Sequence, residues 1–294
     1  MPLNSPMDDP EHKQLEAGLY IVATPIGNLD DITLRALKIL KAVDFIAAED
    51  TRHTARLLSH HRIKGARLIS YHDHNERSRT PELIDRIKRG SSVAVVSKAG
   101  TPLVSDPGYR LIKMAISNRI RIMPIPGASA AIAALSVSGL PTDSFVFEGF
   151  LPRIKGNRIK RLKELSVEKR TLIFYESPRR VITLLKEIQT IMGDRPGVLS
   201  REMTKIYEEF IRGRISAIIS ALTDRSGIKG ECTLAVMGSE IKNHVSEATL
   251  RAEIEMGLQN RNETISTIAK TIAKKLDLPK PRVYEKILKI KDGQ

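Results

Sequence analysis

The sequence predicts an α/β fold made of two α/β domains and a small helical module. Apolar runs typical of buried strands alternate with amphipathic helix patterns from residue 18 to about residue 240. Beyond about residue 245 the pattern is wholly helical. The composition changes between the two α/β parts, because 153–163 holds six bases and no acid. We expect a flexible tail (1–17), a first α/β domain (18–139), a linker (140–150), a second α/β domain (151–240) and a basic helical module (245–294).

The elements of the first domain follow one another over short connections. Strands are predicted for GLYIVAT (18–24), VDFIAAED (43–50), ARLISYHDHN (66–75), VAVVS (93–97) and RIRIMPI (119–125). VAVVS is uncharged and mostly β-branched, as expected of a strand covered on both faces. Helices are expected between the strands, with Asp30 or Asp31 capping the first, Thr80 or Pro81 opening the third and Gly139 ending the last. This alternation predicts a mostly parallel sheet.

The second domain repeats the alternation, and the tail does not. Strands are predicted over 171–178, 197–204, 208–215 and 231–238, with helices over 178–191 and 215–222. In the tail, Ile265, Ile268, Ala269, Ile272 and Ala273 form one apolar stripe, and a last helix follows Pro279. Eight bases and two acids lie between Lys270 and Lys291. This module resembles a helix-turn-helix nucleic-acid binder, although a solvated amphipathic helix pair would give the same pattern.

The charge balance indicates a polyanionic partner. The 294 residues include 48 Lys and Arg against 34 Asp and Glu, which gives a net charge of +14. Nucleic acid is the first candidate and an anionic membrane surface the second, while a solvated basic surface would also fit. Aromatic residues make up 4% and Trp is absent, so phosphate contacts should supply most of the affinity. A single cysteine, no spanning apolar run and no signal-peptide pattern favour a cytoplasmic protein with no membrane partner.

Three loops rich in small residues follow predicted strands. They are ATPIGNL (23–29), SKAGTPLVSDPG (97–108) and PIPGASA (124–130). Small residues at the carboxyl end of a buried strand let a ligand approach the backbone, and open α/β sheets bind ligands at that edge. Any one of these loops could be only a tight turn. Together they predict one ligand pocket.

Two polar clusters also lie at predicted strand ends. AEDTRHT (48–54) brings two acids, an arginine and a histidine to the edge of the first sheet, and YESPRR (175–180) brings Glu176, Arg179 and Arg180 to the second domain. Either cluster could instead be a capped helix start, with Asp50 or Thr51 as the N-cap. His53, His72 and His74 lack the partners typical of a metal site, so we expect no metal. The sequence contains no dinucleotide fingerprint, P-loop or nucleophile elbow.

Read in order, the motifs resemble one family. ATPIGNLDDIT, AEDTRHT, HDHNE, SKAGTPLVSDPG, PIPGASA, GLPTDSFVFEGFLP, TLIFYESPRR, SREMTK and GECTLAVMG resemble the bacterial 16S rRNA cytidine 2′-O-methyltransferases of the decoding centre, in the tetrapyrrole methylase-like superfamily. The resemblance covers about residues 18–240, and the tail resembles the family's C-terminal module. It implies two α/β domains of the tetrapyrrole methylase type, S-adenosylmethionine held between them, 16S rRNA or the small ribosomal subunit as partner, and commonly a homodimer.

The resemblance also implies roles for particular residues. Carried over by position, contacts to the methyl donor would come from Pro25, Ala99, Gly100, Thr101, Ser129, Ala130, Tyr175, Glu176, Met203, Glu231 and Cys232. Transfer to a ribose hydroxyl needs alignment first and a proton acceptor second. The candidates for accepting the proton or orienting the hydroxyl are Asp50, Glu49 and His53. RNA phosphate would be contacted by Arg52, Arg153, Lys155, Arg179 and Arg180.

One residue departs from the family's pattern. The second loop usually reads SDAGTP, and Lys98 stands here in place of the Asp. The donor's sulfonium is cationic, so a lysine ~4 Å away would oppose it by about 4 kcal/mol at an effective dielectric constant of ~20. Lys98 either points outward, toward RNA phosphate, or impairs donor binding. The second case leaves an RNA-binding protein as one alternative function. A precorrin-type tetrapyrrole methyltransferase is the other, which the basic charge disfavours.

Overall fold

The computed structural model describes residues 15–239, 247–259, 263–276 and 278–291. Most of the tail predicted over 1–17 therefore lies outside the described residues. The chain divides into two compact units, Met1–Gly238 and Ser239–Gln294. The first unit contains both sheets, and the second contains helices.

The first sheet is parallel throughout, as predicted. Its five strands lie in the order β3-β2-β4-β1-β5. The strands are β1 (Gly18–Val22), β2 (Phe45–Ala48), β3 (Leu68–Ser70), β4 (Ser92–Val96) and β5 (Ile122–Ile125). The helices are α1 (Leu34–Ala42), α2 (Thr51–His60), α3 (Glu76–Lys88), α4 (Tyr109–Ser117) and α5 (Ala130–Ser136). Because all the strands run the same way, their carboxyl ends meet at one edge.

The central strand β4 is buried along its whole length. Val93 and Val95 belong to the hydrophobic core on one face of the sheet, and Ala94 and Val96 to the core on the other. Successive side chains of a strand point to opposite faces, so both faces of this strand need apolar residues. The uncharged run VAVVS satisfies that requirement.

The second sheet is mixed, with the strand order β6-β7-β10-β8-β9. β6 runs parallel to β7, while the other neighbours are antiparallel. The strands are β6 (Phe145–Phe150), β7 (Thr171–Glu176), β8 (Pro196–Arg201), β9 (Glu209–Arg214) and β10 (Cys232–Val236). Its helices are α6 (Lys155–Leu165), α7 (Val181–Met192) and α8 (Ile215–Thr223).

Part of the segment predicted as a linker over 140–150 is a strand. β6 pairs with β7, and the register shifts between Phe147 and Gly149. The sequence FVFEGF hides this strand, because Glu148 and Gly149 interrupt its apolar alternation at the irregularity.

Two predicted helix starts are wrong, and one is confirmed. Thr33, rather than Asp30 or Asp31, caps α1, and its hydroxyl accepts the Ala36 N–H at 3.1 Å. α3 begins at Glu76, so Thr80 and Pro81 lie inside the helix. A turn over His72–Asn75 starts this helix early, with the Glu76 N–H donated to the His72 carbonyl. Asp50 caps α2 as predicted.

The second unit is a helical cluster, as expected. It contains α9 (Glu247–Leu258), α10 (Ile265–Leu276) and α11 (Lys280–Lys291). Most of the predicted stripe on α10 is buried, namely Ile268, Ala269, Ile272 and Ala273. Some of the unit's basic charge is offset by acids, because Lys275 pairs with Glu253 and Lys286 with Glu247. Within the described residues, every helix is too short or too polar to cross a bilayer.

Candidate functional site

The three small-residue loops lie together at the carboxyl edge of the first sheet. Thr24 and Gly100 exchange two backbone hydrogen bonds of 2.9 and 3.0 Å, which join the first loop to the second. The Thr101 hydroxyl donates to the Ala128 carbonyl at 3.1 Å, which joins the second loop to the third. Gly100 has a φ of +79°, a conformation that favours glycine. The structure therefore brings the three loops together, as predicted from their sequences.

Helix α5 carries the third loop onto the second sheet. Ala131 and Leu135 pack against Ile173 of β7. The Ala131 N–H donates to the phenol oxygen of Tyr175 at 3.1 Å. Small residues on α5 let its backbone come close to β7. The edge of the first sheet therefore faces the end of β7 in the second.

A second contact joins the first loop to the second sheet beside the smaller of two cavities. The loop 202–205, which follows β8, packs against the first loop at Gly27. A Cβ at Gly27 would lie 2.5 Å from the Thr204 hydroxyl and 2.8 Å from the Met203 carbonyl oxygen. The Asn28 N–H donates to the same hydroxyl at 2.9 Å. Gly27 is needed because no side chain fits between the two loops.

Ile26 of the first loop, the second and third loops and the end of β7 line a larger cavity of about 430 Å³. Its size lies in the range of small-molecule sites, which combine apolar walls with a few polar groups. Apolar residues on the wall include Ile26, Val104 and Phe150. Ten of the residues proposed from the sequence line it: Glu49, Ala99, Gly100, Thr101, Ser129, Ala130, Tyr175, Glu176, Glu231 and Cys232.

The remaining proposed donor-site and proton-acceptor residues lie elsewhere. Pro25 and His53 line a neighbouring cavity of about 240 Å³, which shares Lys98 and Glu231 with the first. Met203 packs against Ile26, outside the residues that line either cavity. Asp50 is likewise outside both sets of lining residues.

The capping role of Asp50 makes it a poor proton acceptor. Its carboxylate accepts the N–H groups of His53 at 3.0 Å and Arg52 at 2.9 Å. The His53 hydrogen bond is the main cause of a lowered pKa, and the charges of His53 and Lys98 act in the same direction. A carboxylate held in its ionised form has little tendency to take up a proton.

Four acids line the larger cavity, and they lie in different settings. Glu231 pairs with Lys205 at 3.0 Å. The Glu49 carboxylate accepts the Lys98 N–H at 2.8 Å. Glu176 is buried, accepts the Ser177 N–H at 2.7 Å and pairs with Arg180 at 2.5 Å. Asp106 has its pKa raised to about 7, mainly by burial.

Asp106 was not among the residues predicted from the sequence, although it lies in the second loop (97–108). The available signal was an acid directly before Pro-Gly, in a loop at the carboxyl end of a buried strand. Phe150 was also missed. It lines the cavity and is 56% exposed, with its ring 5.6 Å from the ring of Tyr175.

Two other groups on the cavity wall stay neutral near pH 7. Burial raises the pKa of the Cys232 thiol to about 12. Burial likewise raises the pKa of the Tyr175 phenol above its ordinary value. Neither side chain is therefore a nucleophile or a base at that pH. Both supply neutral polar surface to the wall.

The basic residues proposed for RNA divide into two groups. Arg52, Arg153, Lys155 and Arg179 are exposed. Arg180 is instead tied to buried Glu176. The basic run 153–163 is partly neutralised as well, because Arg158 forms a buried ion pair with Glu187 and Arg161 pairs with Glu148.

His72 and His74 lie close together in the structure. The rings of His72 and His74 lie 5.8 Å apart. Among the residues that the structure describes, no group of three or more His, Cys, Asp or Glu side chains could hold a metal ion.

Comparison with known proteins gives the same architecture. Residues 18–219 match the family model of the Tetrapyrrole (Corrin/Porphyrin) Methylases. A solved structure of the uroporphyrin-III C-methyl transferase from Thermus thermophilus, complexed with S-adenyl homocysteine, aligns with a TM-score of 0.54 at 16% identity. The alignment covers 74% of this chain and 96% of that one. At that identity the likeness shows the fold alone.

Two curated relatives match over nearly the whole chain, and both are called Ribosomal RNA small subunit methyltransferase I. The protein from Micromonospora olivasterospora is 42% identical over 92% of this chain and 88% of its own length. The protein from Synechocystis sp. is 44% identical over 94% of this chain and 99% of its own length.

Proposed function

Because this chain belongs to the tetrapyrrole (corrin/porphyrin) methylases, and within them to the ribosomal RNA small subunit methyltransferase I proteins, we propose that it methylates the 2′-hydroxyl of a cytidine in the decoding region of 16S rRNA. It is an rRNA methyltransferase that uses S-adenosylmethionine. One observation carries the proposal: three loops from the first sheet and the end of β7 from the second enclose a single cavity with acids on its wall.

The cavity fits the methyl donor by size, shape and charge. Its volume of about 430 Å³ suits a nucleoside with a short side chain. Gly100 and Ala99 leave the backbone accessible, and Ser129 and Thr101 add hydroxyl groups. Acids on the wall favour a cation. S-adenosylmethionine bound there supplies a methyl group on cationic sulfur.

Lys98 is compatible with donor binding because its side chain is exposed. Solvent screens an exposed charge, so its repulsion of a cation falls toward about 1 kcal/mol, the value for 4 Å in water. A penalty of that size weakens donor binding without abolishing it. This supports an active enzyme over the alternative of an RNA-binding protein that has lost its donor.

The acceptor is proposed to be RNA on the grounds of charge and shape. Exposed Arg153, Lys155 and Arg179 follow strands β6 and β7, whose ends reach the cavity. Their charges suit a phosphate backbone. Phe150 lies at the same place and is exposed, so a base turned out of its stack could pack on its ring.

The proposal is tested with the purified protein and small ribosomal subunits that lack the modification. Labelled S-adenosylmethionine should transfer its methyl group to the RNA, and mass spectrometry of the nuclease digest should place it on the ribose of one cytidine. Free 16S rRNA, tested in parallel, separates naked RNA from the assembled particle as substrate. A methyl group found on a base would refute the ribose assignment.

A homodimer in the cytoplasm completes the proposal. The family resemblance supports the dimer, and a ribosomal substrate supports the compartment. Sedimentation of the purified protein should give about twice the chain mass of 32.8 kDa. A single species at the mass of one chain, over the concentration range used for activity, would refute the dimer.

A further inference from the structure

Asp106 is an acid on the cavity wall that the fold does not use. Glu49 accepts the Lys98 N–H, and Glu176 is paired with Arg180 and bonded to the Ser177 N–H. Each of those carboxylates therefore has a structural role in holding its loop. The ionised form of Asp106 is instead opposed by burial and by the charges of Glu49 and Asp73, and it is favoured by a hydrogen bond with the Ser97 side chain.

The loop that carries Asp106 is held in a costly conformation. Leu103 and Ser105 have φ values of 72° and 68°, in the left-handed region that L residues avoid. This conformation is unfavourable for L residues, and such strain clusters at functional sites. Gly149 makes room for this loop, because a Cβ there would lie 2.4 Å from the Ser105 hydroxyl. Packing against the second sheet therefore holds the loop against the cavity.

We propose that Asp106 is the catalytic residue that accepts the proton of the ribose 2′-hydroxyl. This assignment rests on the function proposed above. The ribose O–H bond breaks and its proton goes to a carboxylate oxygen of Asp106. An electron pair of the ribose oxygen forms the new O–CH₃ bond, and the electron pair of the broken S–CH₃ bond stays on sulfur. A cation and a carboxylate thus become a neutral thioether and a neutral acid, so the charges balance.

The surroundings of Asp106 suit a proton acceptor that works near neutral pH. The pKa of Asp106 is raised to about 7, mainly by burial and then by the charges of Glu49 and Asp73, against a hydrogen bond with Ser97 that lowers it. Lys98, Tyr175 and Glu176 line the same cavity. General bases are most effective when their pKa lies near the working pH. Asp50, whose pKa is lowered, lacks this property.

The test compares Asp106→Asn with Glu49→Gln, since both remove a charge from the same wall. Single-turnover rates are measured on small ribosomal subunits at saturating donor, from pH 5.5 to 9. Asp106→Asn should lower the rate by about 10²- to 10⁴-fold, the usual contribution of a general base. The wild-type rate should rise with pH and reach a plateau above about pH 7. Asp106→Glu should recover part of the rate that Asp106→Asn loses. Glu49→Gln removes a charge that raises the pKa of Asp106, so its rate should reach the plateau at a lower pH than the wild-type rate does.

Binding measurements separate chemistry from donor affinity. Calorimetry of Asp106→Asn with S-adenosylhomocysteine, which carries no charge on sulfur, should give a Kd within about threefold of wild type. Circular dichroism and the melting temperature check that the variant is folded. If the variant fails to fold, the wild-type pH profile still decides, because a flat rate across pH 7 contradicts the assignment.

Three outcomes would overturn the assignment of Asp106. The first is a rate loss below tenfold in Asp106→Asn. The second is a loss of S-adenosylmethionine binding that matches the rate loss while S-adenosylhomocysteine binding is kept, since the carboxylate would then hold the sulfonium. The third is wild-type protein that leaves the ribose unmethylated, which overturns the proposed function as well. Ribose methylation by wild type together with an active Asp106→Asn removes the Asp106 assignment alone.

Discussion

Two aspartates near one sheet edge show how local contacts set the behaviour of a single residue. Asp50 accepts two N–H groups at the start of α2, and its pKa is lowered. Asp106 is partly buried beside other acids, and its pKa is raised. Hydrogen bonds to the charged form favour ionisation, and burial opposes it. The same residue type therefore stabilises a helix at one position and is suited to take up a proton at the other.

Asp106→Asn should stabilise the folded protein, and more at pH 8 than at pH 5. The folded pKa of about 7 lies above the ordinary value of 3.8, so ionisation opposes folding. The free-energy cost that ionised Asp106 imposes on folding is small below pH 4, grows up to pH 7 and is constant above pH 7. The full shift would correspond to about 4 kcal/mol, and partial exposure reduces this to about 1–2 kcal/mol. Urea unfolding at both pH values measures the difference, and an equal effect at both would contradict the prediction.

Lys98→Asp should strengthen binding of S-adenosylmethionine by up to about 30-fold, because it removes a repulsion of about 1 kcal/mol and adds an attraction of the same size. Lys98 lines the cavity but is exposed, so exchanging its charge changes a solvent-screened interaction with the cationic sulfur. Calorimetry measures the effect, and Lys98→Met separates removal of a positive charge from addition of a negative one. S-adenosylhomocysteine is the neutral control. If both ligands gained equally, the effect would come from shape rather than charge.

At the scale of elements, the site depends on loops that are held by their neighbours. The second loop pairs with the first through Thr24 and Gly100, and loop 202–205 rests on Gly27. Loop 202–205 has its own constraints, since Glu202 and Thr204 have φ values of 51° and 66°. Lys205, at the end of this loop, forms ion pairs with Glu202 and Glu231. A substitution in one loop should therefore displace the other loops around the cavity.

Gly27→Ala should weaken donor binding and destabilise the protein by about 1–3 kcal/mol, the usual cost of overpacking. The new Cβ would lie 2.8 Å from the Met203 carbonyl oxygen, so loop 202–205 must move away. Gly156→Ala is the matched control, because it lies in α6 with nothing within 4 Å of an added Cβ. It should stabilise the helix by about 0.5–1 kcal/mol and leave donor binding unchanged. Unfolding and calorimetry check both variants, and equal donor binding in the two would argue against closure by this loop.

Arg158→Met should destabilise the protein by about 3–5 kcal/mol, as expected when a buried ion pair loses one partner. Arg158 and Glu187 are bonded at 2.6 and 2.8 Å, and their side chains are only 10% and 11% exposed. Arg158 also donates to the Arg153 carbonyl at 2.9 Å, which anchors the segment that carries two candidate phosphate contacts. The double variant with Glu187→Met should recover much of the stability in urea unfolding. No recovery would indicate that packing, rather than charge, dominates this site.

At the scale of the whole molecule, the basic surplus is distributed unevenly. Several of the bases pair with acids, as Arg158, Arg161 and Arg180 do in the first unit and Lys275 and Lys286 in the second. The net charge of +14 therefore overstates the local field at any one surface. Exposed bases near the cavity are the ones expected to contact RNA.

Replacing Arg153 and Lys155 with glutamine should reduce the salt dependence of RNA binding. Each phosphate contact to single-stranded RNA contributes about −0.7 to the slope of log K against log salt, so two lost contacts should make it less negative by about 1.4. Exposed Lys88 and Arg89 lie at the end of α3 and precede β4, at the opposite edge of the first sheet, and serve as the control pair. Filter binding over a range of salt concentrations measures the slope. An equal change of slope in the control variant would mean that RNA binding depends on the total charge rather than on the position of these bases.

The amino-acid sequence by itself determined the alternation of strands and helices, the parallel first sheet and the three loops of the pocket. These features depend on hydrophobic periodicity and on small residues at strand ends, which are local properties of the chain. The motifs from ATPIGNL to GECTLAVMG were also sufficient to predict the family.

Only the tertiary structure decided which polar residues share the cavity. The sequence placed Asp50, Glu49 and His53 together, while the fold uses Asp50 as a cap, leaves Glu49 on the cavity wall and turns His53 toward a neighbouring cavity. Asp106 could be identified as a candidate proton acceptor only from its burial and from the acids around it. The strand within the expected linker was hidden for a similar reason, because Gly149 fits a loop that lies far away in sequence. Burial, charge and close packing arise between distant segments, so no local pattern reports them.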